Sequence, residues 1–460
     1  MATDTELTAA WRDLPERDTL EASICDMLAQ AKRLGADAAE ASLSASRALS
    51  VSVRDGRREA LDFEGDRTAS ITVYRATGDG QSKGQASGSA STTDLSSAGL
   101  TQALESAFTI ARFTEADPYA GLADADLMAG EPPDMGLYNP WPITAAEAEA
   151  MAGEIEQAAL GYDERITQTE GATVATQDAI SAYANSHGFI GIEQASRHVL
   201  SCSAIARDAD GGMQREIAFS QARRAQDLEA SAAIGRLASQ RAIDRLGARS
   251  ATTGSYSVVF TPRVARGLWG HLLGAISGGP LYRDASFLKD AIDTQIANPA
   301  LTITQHPHRR HGLASAGFDG DGVATRDRTL VADGILRGYV LSAYSARRLG
   351  LPPTGNAGGV FNIDIAPGAD SFEALVANMG TGLVVTELMG QGVNLVNGDY
   401  SRGAAGWWVE NGQLAYPVEN ATIAGNLADM YRGITLGNDV DRTAALATPS
   451  VRIERMTVAG

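Results

Sequence analysis

Lysine is nearly absent. Lys32, Lys83 and Lys289 are the only three in 460 residues, so an amine nucleophile or a lysine clamp on phosphate has few candidates. Cysteine is scarcer still: Cys25 and Cys202 cannot build a disulfide framework, and without a CxxC pair there is no zinc or redox motif. A reducing cytoplasm suits such a chain. Positive charge is deficient overall, 38 Lys plus Arg against 56 Asp plus Glu for a net charge of −18, which repels phosphate backbones and anionic lipid surfaces. Neither nucleic acid nor a membrane is an expected partner. The longest uncharged, apolar-leaning stretch, Gly267 to Tyr282, is broken by glycines and falls short of the roughly 18 residues needed to span a bilayer. Met1 to Arg17 has no apolar run, so no signal peptide is expected there.

Several catalytic signatures are missing too. No GxxxxGK[ST] or complete GxGxxG occurs, and no histidine is followed by glutamate, so the zinc-protease helix motif is lacking. Gly80-Gln-Ser-Lys-Gly84 has the GxSxG spacing, but the small polar residues after it lack a helical period, which predicts a loop rather than a nucleophile elbow. Asp319-Gly-Asp321-Gly opens like a calcium loop; Val323, Ala324 and Leu330 at its fifth, sixth and twelfth positions predict a turn instead. His306, His308 and His311 gather in one short segment, where a proline and two arginines point to an exposed loop, and their role stays open.

What the chain has in excess is glycine, 49 residues or about 11% against the usual 7% or so, concentrated after Gly254. With 44% hydrophobic residues the length predicts two to three domains. Leu20, Ile24, Met27, Leu28, Ala31 and Leu34 share one helical face, with Asp18 or Thr19 as cap and Gly35 as stop. From Leu49 to Tyr74 the period changes to two, broken at Asp55-Gly56 and Gly65-Asp66, which predicts a hairpin meander. A second helix follows around Leu100 to Ala111, and then five prolines from Pro118 to Pro142 mark a long connection.

Thr144-Ala-Ala-Glu147 is a capping box, and the helix it opens is followed by strands around 173–183 and 199–206 and a helix from about Asp227 to Leu246. Beyond it, Ser255–Phe260 predicts a strand and Thr261-Pro262 the start of a helix to about Ile276. Short strands and turns come next, with hairpins at Asp333-Gly334 and Asn411-Gly412. The expected fold is α+β: a first αβ module over 1–115, a Pro-rich connection over 116–143, a second αβ module over 144–250, and a β-rich, glycine-rich domain over 251–460.

Three stretches of that last region are distinctive: Gly278-Gly-Pro-Leu-Tyr-Arg-Asp-Ala-Ser-Phe-Leu288; Ser345-Ala-Arg-Arg-Leu-Gly350 with Thr354-Gly-Asn-Ala-Gly-Gly359; and Met379-Gly-Thr-Gly-Leu-Val-Val-Thr-Glu-Leu-Met-Gly-Gln-Gly392 with Gly398-Asp-Tyr-Ser-Arg-Gly-Ala-Ala-Gly-Trp-Trp-Val-Glu-Asn-Gly412. They resemble the TldD/PmbA family, most closely its PmbA (TldE) branch. The resemblance implies one subunit of a cytoplasmic TldD/TldE heterodimer, a metalloprotease that processes unfolded peptides, including peptide-antibiotic precursors and antitoxins. In the family the metal sits on the TldD branch, on a His-Glu-x-x-x-His helix completed by a Cys near the C-terminus. Laid on this chain, the two histidine positions are Gly270 and Ala275, the base position is His271, and the cysteine falls in Ala447-Thr-Pro-Ser450. The resemblance therefore implies no metal in this chain and a zinc-type metal in a TldD-like partner. A free-standing hydrolase with an unrecognised site is the alternative, and a scaffold a third reading.

The residues suggest how a peptide would be held. A glycine-rich β domain can offer a strand edge to an extended peptide. Trp407, Trp408 and Tyr416 around the Asn411-Gly412 turn are candidate aromatic anchors, and Glu387 and Arg402 are charges in glycine-dense segments. Glu387, Arg402 and Trp407 are the candidate substrate-binding residues, each of which packing or a solvated turn would also explain.

Overall fold

The computed structural model describes residues 14–76 and 84–460. Gly80 to Lys83 of the GxSxG match lie outside the described residues. The first helix, α1 (Arg17–Arg33), buries Leu20, Ile24, Met27 and Ala31 along one stripe, as their spacing predicts. Its cap is neither Asp18 nor Thr19: the chain enters at Glu16, whose carbonyl accepts from Thr19 and Leu20. β1 (Ala38–Arg54) and β2 (Arg57–Ala76) form a hairpin on Asp55-Gly56, whose φ values of 53° and 68° fit a type I′ turn. Gly65-Asp66, by contrast, lies in the middle of β2, opposite Arg47 and Ser46, and turns nothing. Continuous pairing with β1 overrides the local turn propensity of that dipeptide.

β3 (Gln85–Thr92) and α2 (Ser97–Phe113) complete the first unit; α3 (Ala145–Leu160), β4 (Ile166–Asn185), β5 (Ile190–Arg207), β6 (Met213–Ala222) and α4 (Ser231–Asp244) form the second. α3 opens on the expected capping box, with the Thr144 side chain accepting from Glu147 N and the Glu147 carboxylate from Thr144 N. The two units share one antiparallel sheet of order β3-β2-β1-β4-β5-β6, joined where β1 pairs with β4 from Glu40 to Val53. One face of β1 carries Ala39, Ala41, Leu43, Ala45, Leu49, Val51 and Val53, and it is covered by helices in two apolar clusters. The other face is a hydroxyl lattice, with Ser42 bonded to Ser70 and Ser52 to Thr173 at 2.8 Å. Such one-sided burial is open to antiparallel sheets.

The proline-rich stretch 116–143 is not a loose linker. Arg347 donates to the carbonyls of Tyr119, Gly121 and Leu122, Ala129 N to Gly322 O and Ser196 N to Leu137 O, so it straps the N-terminal sheet to the C-terminal half. Proline removes a backbone donor but leaves the neighbouring carbonyls free to accept.

The C-terminal half begins with β7 (Gly254–Phe260), α5 (Pro262–Ala275) and α6 (Gly278–Tyr282). Next come β8 (Ile303–Gln305), β9 (Arg328–Ala332), β10 (Ile335–Leu336), α7 (Ala343–Leu349), β11 (Ile363–Ile365) and α8 (Phe372–Ala377). It ends with β12 (Gly382–Met389), β13 (Asp399–Glu410), β14 (Gln413–Asn426), α9 (Leu427–Arg432), β15 (Ile434–Leu436), β16 (Leu446–Ala447) and β17 (Val451–Ala459). This half is β-rich as expected, and four short helices beyond α5 punctuate the stretch expected to be mostly short strands and turns. One sheet runs β14-β13-β12-β7-β17-β15 and curls until β14 also pairs with β17; a smaller one runs β10-β9-β8-β11-β16. Both expected hairpins form, with φ of 51° and 74° at Asp333-Gly334 and again at Asn411-Gly412. α5 shares one large core with Phe260, Val385, Ala404, Ile423 and Val451.

Candidate functional site

Helix α5 carries the positions on which a family metal site would be built. Thr261 ends β7 by donating its N–H and its hydroxyl to Val385 O, both at 3.2 Å, and Pro262 takes the first helical position. Val264, Leu268, Trp269 and Leu272 then bury into the core, while Gly267, Gly270 and Gly274 line another side. A Cβ on Gly270 would meet nothing within 4 Å. Ala275, the second of the two histidine positions in the motif, is 0% exposed.

The C-terminal segment expected near this helix does reach it: the Trp269 indole donates to Thr448 Oγ1 at 2.7 Å. The hydroxyl in turn donates to Pro449 O, and Ser450 is bonded to the Asp439 carboxylate. The donors available there are thus an indole N–H and hydroxyls already in use. Cys202 lies in the N-terminal sheet, where burial pushes its thiol up to about 12, and Cys25 is on α1. Among the described residues no three His, Cys, Asp or Glu side chains come together as a metal ligand set. A zinc-type ion requires about three protein donors, so this donor set does not fit a metal of the kind that the resemblance places in a TldD-like partner.

His271 stands between the open and the buried side of α5, with its ring edge-on to Tyr400 at 6.0 Å between centroids and 72° between planes. Tyr400 and Arg402, two apart on β13, share the face turned towards α5, and Arg402 Nη1 lies 3.8 Å from where a Cβ on Gly267 would sit. His271 Nε2, Tyr400 OH and Arg402 Nε are buried and have no hydrogen-bond partner. Burial, reinforced by the Arg402 charge, lowers the His271 pKa, so the ring is neutral near pH 7. Burial also pushes the Tyr400 hydroxyl up to about 12, with Arg402 opposing.

The other two substrate-binding candidates lie elsewhere. Glu387 is ion-paired with Arg245 just after α4; Arg245 also reaches Glu216, at 3.1 Å, as does Arg263. Trp407 lines a cleft of about 280 Å³ at this seam with Arg241, Arg245, Arg263 and Asp441. The aromatic cluster expected at the Asn411-Gly412 turn divides by strand alternation. Trp408 enters the core, stacked on Tyr416 and edge-on to Tyr256, whereas Trp407 packs on the opposite face against a cluster of Val259, Leu375 and Val384.

The three clustered histidines diverge. His306 bonds Asp327 and Thr304, His308 bonds Thr325, and the His311 ring lies beside Gly136. Asp319 makes the turn expected of it: its carboxylate accepts from the N–H groups of Asp321, Val323 and Ala357. Of the candidate metal-site and substrate-binding positions, then, His271 and Arg402 come near each other, with Gly270 preceding His271 on α5, while Trp408 and Tyr416 stack in the core. Tyr400 was missed, although its signal was present: period two places it with Arg402 on the inward face of a strand, where arginine is out of place.

Three consecutive segments match sequence models of the PmbA/TldA metallopeptidases: domain 1 over residues 39–111, the central domain over 138–246 and the C-terminal domain over 253–460. Metalloprotease PmbA of Escherichia coli O157:H7 is 45% identical over 92% of each chain. A crystal structure titled as a putative modulator of DNA gyrase from Bacteroides thetaiotaomicron superposes with a TM-score of 0.89 at 26% identity, covering 96% of this chain and 99% of that one. TldE of Thermococcus kodakarensis shares the fold, with a TM-score of 0.79 at 19% identity over 95% of this chain and all of that one. With the matched segments running through all three parts of the fold, the chain belongs to the TldD/PmbA metallopeptidase family.

Proposed function

We propose that this chain is the PmbA/TldE-like, non-catalytic subunit of a heterodimeric metallopeptidase that acts on unfolded peptides in the cytoplasm. In this reading a TldD-like partner supplies the zinc-type metal and this chain completes the substrate chamber. One observation carries the reading: α5 presents Gly270, His271 and the buried Ala275 where two imidazoles and a carboxylate would be needed, and Trp269 with Thr448 occupies the neighbouring C-terminal position. A single imidazole cannot fix a metal and leave an open coordination position for water. What the subunit contributes is surface, through the glycine side of α5 and the strands beside it, which an extended chain can approach closely.

The test is elemental analysis of the purified chain together with a peptidase assay on an unstructured peptide, with and without a TldD-like subunit. The expected outcome is no stoichiometric metal, no turnover alone, and turnover on mixing. One tightly bound metal per chain with independent turnover would replace this reading with the free-standing hydrolase.

A further inference from the structure

The buried polar groups around α5 are unevenly matched. His271 Nε2, Tyr400 OH and Arg402 Nε lie in one neighbourhood, and each lacks a partner. Tyr400 is only 2% exposed. No carboxylate among the described residues forms an ion pair with Arg402, although the chain carries 56 acidic residues. An arginine offers only donors, a phenol kept neutral offers an O–H, and a neutral imidazole offers either a donor or an acceptor at Nε2. Burying such groups without acceptors is unfavourable, and native structures seldom do it unless a ligand or water completes them.

Three properties of the cluster define what would complete it. It has one formal positive charge and no negative one. Its donors come from two elements, α5 and β13, which face each other. Beside it, α5 offers glycine: a Cβ at Gly270 would touch nothing within 4 Å, and one at Gly267 would meet only the Arg402 guanidinium. The missing side chains leave room for a backbone to lie along the helix. A carboxylate accepts bidentately from guanidinium and has lone pairs left for a phenol and an imidazole, so its chemistry answers all three groups.

We infer that His271, Tyr400 and Arg402 form a receptor for a carboxylate of the bound peptide, seated where a catalytic subunit of the family would carry its metal helix. The inference rests on the peptide-handling reading above and adds to it the part of the peptide that this subunit grips. Two peptide sources share the chemistry: the free C-terminal carboxylate, or an Asp or Glu side chain.

Calorimetric titration of the full chain, without any partner, tests the inference and separates its failure from failure of the heterodimer reading, which concerns turnover only. Three probes are used: an unstructured, acid-free hexapeptide with a free C-terminus; the same peptide amidated; and an amidated version with one internal Glu. If the site reads the terminus, only the first binds, and acetate competes with it. If it reads an acidic side chain, the third binds as well and the second does not. In either case Arg402→Gln and Tyr400→Phe each weaken binding by about tenfold, with a melting temperature within a few degrees of wild type. Equal binding of acidic and amidated peptides, absence of binding by the folded wild-type chain, or unchanged affinity in both variants overturns the inference and leaves the cluster as a site for water.

Discussion

The N-terminal and C-terminal halves of this chain reach a packed state by different routes. In the first, β1 and β4 run for 17 and 20 residues, and strict alternation sends one face to the helices and the other to a hydroxyl lattice. Its buried charge is answered: Glu156 accepts from Asp55 N, Gly56 N and Thr169 Oγ1, and Asp178 from Arg47 and Ser196. In the second half β8, β11 and β15 are three residues each, and glycine permits approaches that a side chain would block, as where Gly406 lies against Val384. Among the described residues the buried polar atoms without partners fall in this half, Gln85 excepted. A region that satisfies nearly all its buried polar groups is built for stability, whereas one that leaves donors open beside a bare helix face retains capacity to bind.

Four substitutions would break or sharpen that contrast. The largest effect is expected in the satisfied half. Glu156, 1% exposed, ties the β1–β2 turn to α3, so Glu156→Ala should strand two backbone donors and a hydroxyl and cost about 4 kcal/mol in urea unfolding. A loss below about 1 kcal/mol would mean the turn does not depend on α3.

Next come two glycines in equivalent turns. Gly56 and Gly412 have φ of 68° and 74°, but a Cβ on Gly56 meets nothing within 4 Å, while one on Gly412 would lie 2.7 Å from Ala377 O. Gly412→Ala should therefore cost about 3 kcal/mol, and Gly56→Ala only about 1 kcal/mol from the left-handed backbone. Equal losses would remove the claim that glycine in the C-terminal half serves close approach.

A pH-dependent effect is expected where the halves meet. Burial pushes Asp319 up to about 6 from an ordinary value of 3.8, and Glu40, held by Tyr74 and Tyr183, is also raised by burial. A carboxyl with a raised folded-state pKa keeps its proton when the unfolded chain has released it, so stability falls as pH rises from about 4 to 6. Asp319 should contribute about 3 kcal/mol of that fall, seen as a flatter pH profile of urea unfolding in Asp319→Asn. An unchanged profile would assign the dependence to the other buried carboxyls that are raised, Glu40, Glu193 and Asp321.

Much of the fold was legible because its signals are local. The α1 stripe, the Thr144–Glu147 capping box, and the turns at Asp55-Gly56 and Asn411-Gly412 each depend on residues within one turn or hairpin. Gly65-Asp66 misled because pairing with β1 holds it extended. The union of two αβ units into one sheet was not legible, since the β1–β4 pairing joins residues about 130 apart through a ladder of backbone bonds that any alternating strand could make.

The candidate site divides in the same way. Sequence alone determined that α5 offers a single imidazole, His271, because donor atoms belong to residue identity and no packing can create one at Gly270 or Ala275. Tyr400 and Arg402 lie two apart in the chain, but it is the strand Asp399–Glu410 of the folded protein that puts them on one face. Only the tertiary structure decided that this face turns to His271, that Glu387 is paired with Arg245, and that Trp407 and Trp408 serve different cores. Those outcomes depend on which distant surfaces meet, and a charge or a ring is completed by its neighbours in space rather than in sequence.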